Sequence, residues 1–194
     1  GTAYGGVTYG VEGKLNTALQ FDGVDDYIKF PDQIDEYEGT VSMWVYIEDL
    51  VSYQHMYWAG KPGEDGGGPG PELHVSIKDN SFFAGYADYE RCYPNYPLLS
   101  SPAEKGWHYL TLTWNKSGYF KLYVDGELKG IARCENDPVI DKSSWEPFNY
   151  IGRPSADMRY FKGIIDEVAI YNRALTAEEI LTHYLRQKDK YGGG

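Results

Sequence analysis

The sequence predicts an all-β sandwich or barrel. Three observations carry that expectation: apolar and polar residues alternate with period two in segment after segment, Gly, Asn and Asp punctuate the gaps, and a single stretch has helical periodicity. ALQF and DYIKF are the first short runs of this kind. In GTVSMWVYIED, Val41, Met43, Val45 and Ile47 share one face, while Thr40, Ser42, Trp44 and Tyr46 share the other. MYWAG follows, and then ELHVSIKDN, where Leu73, Val75 and Ile77 alternate with His74, Ser76 and Lys78. SFFAGYAD reads as the next strand. HYLTLTWN sets Leu110, Leu112 and Trp114 on one side, and GYFKLYVDGELKGIARC reads as a hairpin turning at Asp125-Gly126. NYIG and GIIDEVAIY close the series. One helix is expected after them: Thr176 and Glu179 form a capping box, and Ile180, Leu181, Tyr184 and Leu185 make an apolar stripe suited to docking on the sandwich. Lys61 to Glu72 is too rich in Gly and Pro to be regular.

Charge and length narrow the function classes. The chain has 194 residues, 18 Lys and Arg against 29 Asp and Glu, and a net charge of −11. Nucleic acid and anionic membrane surfaces are disfavoured as partners, because phosphate attracts the opposite sign. No apolar run approaches the ~20 residues of a bilayer span. Neither an internal repeat nor a second-domain boundary is visible, so residues 1–188 read as one domain and residues 189–194, which end in Gly-Gly-Gly, as a linker or cloning remnant. A start at Gly1 without Met reads as a mature or excised piece. The 19 tyrosines and 5 tryptophans suit sandwich cores and sugar-binding surfaces alike, since each ring pairs an apolar face with a polar edge. Cys92 and Cys134 are either a disulfide, closing a loop of ~40 residues and contributing roughly 3–4 kcal/mol in the entropic account, or two separate buried thiols.

Several stretches together resemble the laminin-G-like, concanavalin A-like jelly-roll family: VEGKLNTALQFDGVDDYIKF, GTVSMWVYI, WHYLTLTWNKSGYFKLYVDGELKG and FKGIIDEVAIYNRALTAEEI, in the expected order from about Val11 to Tyr184. The resemblance implies a two-sheet antiparallel jelly-roll sandwich with one short C-terminal helix, its first and last strands side by side. It also implies a secreted or cell-surface binding module of carbohydrate-binding or adhesion type; from the lack of a spanning apolar run, a soluble chain without membrane insertion is expected.

The stretch FDGVDDYIKF places Asp22, Asp25 and Asp26 in one turn. Asp166 has the parity of Ile164, Val168 and Ile170, and a carboxylate on an apolar face needs a partner. If the terminal strands pair as the resemblance implies, Asp22, Asp25 and Asp166, with the Gly23 carbonyl, form an oxygen-rich cage of the kind Ca²⁺ takes, a structural staple rather than a catalytic centre. The competing reading has Asp22 and Asp25 capping turns and Asp166 pairing with Arg173 or Lys29; Asp26 reads as solvated.

Catalysis finds no support. There is no Glu-x-Asp-x-x-Glu strand, no nucleophile elbow, no His-Glu-x-x-His helix and no phosphate-cradling loop, and the four histidines lack ligand spacing. The expectation is a protein that is not an enzyme. Binding is better served. Tyr86, Tyr89, Tyr93 and Tyr96 surround Arg91, a set able to stack on sugar faces and fork onto a uronate, sialate or sulfate, to cover the sandwich rim, or to meet a protein. Trp58, Trp145 and Arg153, in or near loops, are further ligand candidates, whereas Trp44, Trp107 and Trp114 read as core. A polysaccharide or glycoconjugate is the expected partner, with other domains of a larger surface protein as the alternative and a glycan-processing enzyme as a remote one.

Overall fold

The computed structural model of the chain describes residues 1–61, 71–88, 92, 98–135, 140–154 and 159–190. Among these residues fourteen strands make two seven-stranded antiparallel sheets. The first sheet runs β1 (Thr2–Tyr4), β4 (Tyr27–Pro31), β13 (Phe148–Ile151), β6 (Gln54–Gly60), β7 (Glu72–Lys78), β8 (Ser81–Ala87) and β9 (Leu98–Pro102). The second runs β12 (Glu127–Arg133), β11 (Tyr119–Val124), β10 (Gly106–Trp114), β5 (Gly39–Ile47), β14 (Lys162–Tyr171), β3 (Thr17–Asp22) and β2 (Thr8–Glu12). The last strand lies between β5 and β3, pairing Lys162 with Asp22 and Ile165 with Leu19. Strands β1, β2 and β9 carry no strong alternation and are exposed along much of their length, so only the structure reveals them.

The period-two pattern sets the inner faces. Val41, Met43, Val45 and Ile47 of β5 meet Leu110, Leu112 and Trp114 of β10 and, from the other sheet, Leu73, Val75 and Ile77 of β7 in one continuous core. The hairpin turns where expected, with Asp125 and Gly126 both at positive φ, the backbone a two-residue loop demands. A Cα–Cα distance of 4.9 Å accompanies the disulfide that joins Cys92 to Cys134, settling the two readings of the cysteines in favour of the bond.

The second sheet's outer face carries the helix α1 (Ala177–Gln187). Thr176 accepts a hydrogen bond from the Glu179 amide while the Glu179 side chain returns to the Thr176 amide. Arg173 forks onto the same carboxylate at 2.7 and 2.8 Å and holds its pKa down to about 2. Ile180 is fully buried against Trp44, Tyr109, Tyr123 and Leu175, with Tyr184 stacked on Trp44. Leu181 and Leu185 remain exposed, so the buried stripe is narrower than the four apolar residues suggest. The tryptophans divide likewise. Trp114 is core, Trp44 lies beneath the helix, and Trp107 is half-buried on the same outer face, edge-on to Tyr46.

A candidate binding face on the first sheet

On the first sheet the residues that alternate with the core set point away from it. Register partners place Thr2, Lys29, Tyr150, Trp58 and His74 in one row across β1, β4, β13, β6 and β7. Strand neighbours lie about 4.8 Å apart, so the row spans roughly 19 Å. Beside it Tyr4 and Tyr27, also register partners, stack with ring centroids 4.6 Å apart. Tyr27 continues to Tyr150 at 6.2 Å, and Tyr150 meets Trp58 edge-on at 5.8 Å. The outcome is an aromatic shelf whose exposed end is Tyr4 and whose buried end is Trp58.

Cations sit on the rings. The Arg153 guanidinium lies 3.8 Å from the Tyr27 ring centroid and 5.1 Å from that of Tyr150; the Lys29 ammonium lies 4.0 Å from Phe148 and 5.5 Å from Tyr150. Arg159 lies 4.4 Å over Tyr53 at the far side of the face. Two carboxylates anchor the shelf by hydrogen bonds. The Trp58 indole N–H donates to Glu72 Oε2 at 2.9 Å, and the Tyr150 hydroxyl donates to Glu146. Burial pushes the Glu72 carboxyl up, but the His74 ring, 3.2 Å from its other oxygen, and the Trp58 donor together hold it below its ordinary value. Burial and the Glu146 carboxylate raise the Tyr150 phenol, keeping it a donor.

The structure also brings together two histidines that the sequence leaves 19 positions apart: the His55 and His74 rings lie 5.4 Å centroid to centroid, both nearly fully buried. A β-bulge between His55 and Tyr57 turns His55 onto this face, opposite Ser76. Among the described residues neither ring nitrogen of His55 nor the Ser76 hydroxyl has a hydrogen-bond partner. Each such orphan costs about 1–3 kcal/mol. Burial, then His74 and Arg159, push the His55 imidazole well below its usual pKa. No spacing rule could pair these residues, because the bulge that aligns them leaves no composition mark.

Of the ligand residues expected from sequence, Trp58 and Arg153 do converge here, both against Tyr150. Trp58 lies in strand β6 rather than in a loop, and only 2% of its surface is exposed. Tyr86 is a correction. It shares its parity with Phe82 and Ala84, faces the core at 1% exposure and stacks on Phe120 at 5.8 Å. Its hydroxyl donates to Asp88 Oδ2 at 2.8 Å and accepts from the Asp141 amide at 3.1 Å, and burial raises its pKa. Trp145 packs half-buried against the core. Tyr89, Arg91, Tyr93 and Tyr96 lie outside the described residues.

The aspartates regroup as well. Asp22, Asp25 and Asp26 bring one carboxylate oxygen each to within 4.8 Å of one another. Asp26, expected to be solvated, is 2% exposed and accepts from the Asp22 amide at 2.9 Å and from the Gly6 amide. Asp22 Oδ1 accepts from the Val24 amide at 2.7 Å and from the Asp25 amide at 3.4 Å, while Gly23 adopts φ +81°. Asp166 does not join them. Lys162 is the partner of Asp22, and Asp166 lies four residues further along β14, about 13 Å away. A bulge between Asp166 and Ala169, with Glu167 at φ +50°, breaks the parity that grouped Asp166 with Val168 and Ile170. Asp166 therefore shares the outer face with Trp44, its register partner, and pairs with neither Arg173 nor Lys29 among the described contacts. Its Oδ2 accepts from the Leu15 amide and its Oδ1 from the Glu167 amide, both at 2.8 Å. Asp166→Ala is expected to lower stability by about 1–3 kcal/mol, equally in calcium and in EDTA, when followed by urea denaturation.

Comparison with known proteins agrees with the architecture. A laminin G family model described as the concanavalin A-like lectin/glucanases superfamily matches residues 22–181. No curated protein sequence matches the chain. Among solved structures, the chain resembles domain 4 of AbnA, a GH43 extracellular arabinanase from Geobacillus stearothermophilus solved in complex with arabinotriose. The identity is 22%, the TM-score 0.69, and the match covers 92% of this chain and 81% of that one. The receptor-binding domain of botulinum neurotoxin C/D mosaic serotype matches at 20% identity and TM-score 0.68, over 96% of this chain and 46% of that one. The botulinum neurotoxin serotype G binding domain matches at 16% identity and TM-score 0.67, over 96% and 47% respectively. The chain thus spans about half the length of these toxin domains.

Proposed function

From the premise that the chain belongs to the concanavalin A-like lectin/glucanases superfamily, we propose that it is a non-catalytic, extracellular carbohydrate-binding module whose ligand lies on the outer face of the first sheet. The observation that carries this reading is the shelf of stacked Tyr4 and Tyr27 leading to Tyr150 and Trp58, with polar and cationic side chains at its margins. A pyranose ring presents a flat C–H face to the exposed Tyr4 and half-buried Tyr27 rings and hydroxyls to such margins, while Tyr150 and Trp58, each 2% exposed, back those rings rather than touch the sugar. The arabinotriose held by a domain of similar fold supports the same reading.

Calcium belongs to the proposal as a staple. Oxygens bound to one Ca²⁺ at about 2.3–2.6 Å lie no more than about 5 Å apart, a limit that the Asp22, Asp25 and Asp26 carboxylates meet. Oxygens already accepting one amide keep a second lone pair for a cation. The ion would close the turn before β4, whose Asp26 already accepts from the Gly6 amide after β1, beside the Tyr4–Tyr27 end of the shelf.

A glycan array in calcium and in EDTA, followed by calorimetric titration of the best ligand, tests the function. Hits in one glycan class are expected. Tyr4→Ala, at an exposed position that leaves the core intact, should weaken binding about tenfold, equivalent to 1.4 kcal/mol. A blank array with folded protein would overturn the reading and favour a protein-binding role, for which the exposed Leu128 and Ile131 on the edge strand β12 offer a surface.

A further inference from the structure

One flank of the sandwich leaves its core uncovered. Strand β3 pairs with β14 only along Lys162–Ile165, and past the bulge between Asp166 and Ala169 no strand lies beside β14 on that side among the described residues. Val168 and Ile170 point inward all the same, Ile170 being the register partner of the buried Val41. Across from them Ile28 and Phe30 of β4 alternate with Tyr27 and Lys29 of the shelf, and so face the interior of the sandwich. Ala3, Leu19, Ile28, Phe30, Val168 and Ile170, all on strands of this flank, are part-buried against the core; only Leu50, Ala132 and Trp145 are so placed elsewhere among the described residues. Apolar surface gathered in one place marks a binding groove more often than chance exposure.

The walls enclose a cleft of about 670 Å³, built from Ile28, Phe30, Ile151, Val168 and Ile170, with Gln33 and Asn172 at its rim. Small-molecule sites occupy roughly 300–1,000 Å³. A second recess of about 390 Å³, to which Leu19 and Ile165 contribute, adjoins it across Ile151 and Val168. The aliphatic lining therefore follows β14 from Ile170 to Ile165, roughly 16 Å. Branched aliphatic walls with a single aromatic ring offer no platform for a sugar; they suit a narrow hydrocarbon chain.

Polar groups at the Gln33 end define the other part of the occupant. Gln33 donates its Nε2 to the Pro31 and Asp32 carbonyls at 3.3 and 2.9 Å, which leaves its Oε1 to accept. Asn172 is exposed, with both functions of its amide open to a ligand. The charged groups on the two linings are the Gly1 amino group, Asp166 and Glu167, so acids prevail there as they do over a chain of net charge −11. A carboxylate head is thereby disfavoured, and so is a second copy of the chain, which would bring the same net charge against it.

We propose that this cleft between the sheets binds a single-chain aliphatic amphiphile with an uncharged head, taken up from solution rather than from a bilayer, its chain lying along β14 between Ile28 and Val168 and its head bonded to Gln33 and Asn172. The site is independent of the carbohydrate reading, because Ile28 and Phe30 lie on the opposite side of β4 from Tyr27 and Lys29.

The deciding experiment is fluorescence titration of the folded chain with Nile red, followed by displacement with decanol and with decanoate, each below its aggregation limit. One saturable site is expected. Decanol should displace the dye about tenfold more effectively than decanoate, whose charge must be desolvated beside Asp166 and Glu167. Val168→Trp, which fills the cleft from β14, should weaken dye and decanol about tenfold or more, the effect of excluding two methylenes. Ile28→Trp fills it from β4 and serves as the second variant should Val168→Trp fail to fold, and Leu128→Trp on the edge strand β12 should change nothing. Absence of saturable dye binding, or binding that survives both filling variants, would overturn the site. Displacement by decanoate at least equal to that by decanol would overturn the uncharged head. Uptake only from phosphatidylcholine vesicles, or a dimer in sedimentation that Val168→Trp abolishes, would give the cleft to a bilayer or to a second copy and overturn the proposal.

Discussion

Replacing Tyr86 with alanine is expected to cost about 3–5 kcal/mol of stability, the range for deleting a large aromatic side chain from a packed core. The ring lies 5.8 Å from Phe120 in a stacked pair that bridges the two sheets, with 1% of its surface exposed. Truncation leaves a cavity, because the flanking strands are locked by their ladders and cannot collapse into it. Tyr86→Phe keeps the ring and removes only the hydroxyl's bonds to Asp88 and the Asp141 amide, so it should cost about 1–2 kcal/mol. Urea denaturation of the three proteins reads both values. A Tyr86→Ala variant of unchanged stability that had lost glycan affinity would instead restore Tyr86 as a ligand contact.

Removal of the Cys92–Cys134 bond is expected to cost about 3–4 kcal/mol, the loop-closure entropy of a cross-link between residues 42 apart. The bond does more than close a loop. Cys92 follows β8 in the first sheet, Cys134 follows β12 at the edge of the second, and both side chains are buried in the shared core. The Cys92→Ser/Cys134→Ser double variant should melt lower than the wild type and ignore reductant, whereas the wild type should fall to the variant's level in dithiothreitol. Denatured wild type should show no titratable thiol. Two thiols under those conditions would remove the bond from the account.

How much of this was legible beforehand differs by residue. Val41 to Ile47 announce a strand and its two faces because parity is a local property of the backbone. The Asp125-Gly126 turn and the Thr176–Glu179 cap are equally local and lie where the residues indicate. Tyr86 reads with the tyrosine-rich stretch that follows its strand, but the parity it shares with Phe82 and Ala84 is what places it in the core. For Asp166, parity holds with Ile164 before the bulge and fails with Val168 and Ile170 beyond it. A bulge costs one residue of register and leaves no trace in the alternation of the strand that carries it.

The same division separates candidate site from fold. Trp58 and Arg153 were both legible as ligand residues, but their meeting on the Tyr150 ring was not, since the three belong to segments whose adjacency is set by strand order. Asp26 stands beside Asp25 in sequence and accepts from the Asp22 amide within the same turn, but its bond from the Gly6 amide, from the turn after the first strand, is visible only in the structure.

By itself the sequence determined an all-β sandwich or barrel with a capped C-terminal helix, because alternation, turn chemistry and capping are decided within a few residues; the two antiparallel sheets were implied by the resemblance to laminin-G-like jelly rolls. The tertiary structure alone decided which carboxylates gather, that Cys92 reaches Cys134, and that rings and cations from β4, β6 and β13 share one face. Those outcomes depend on the register between strands far apart in the chain. Register is settled by the packing of the whole core and by single-residue bulges, neither of which any one segment contains.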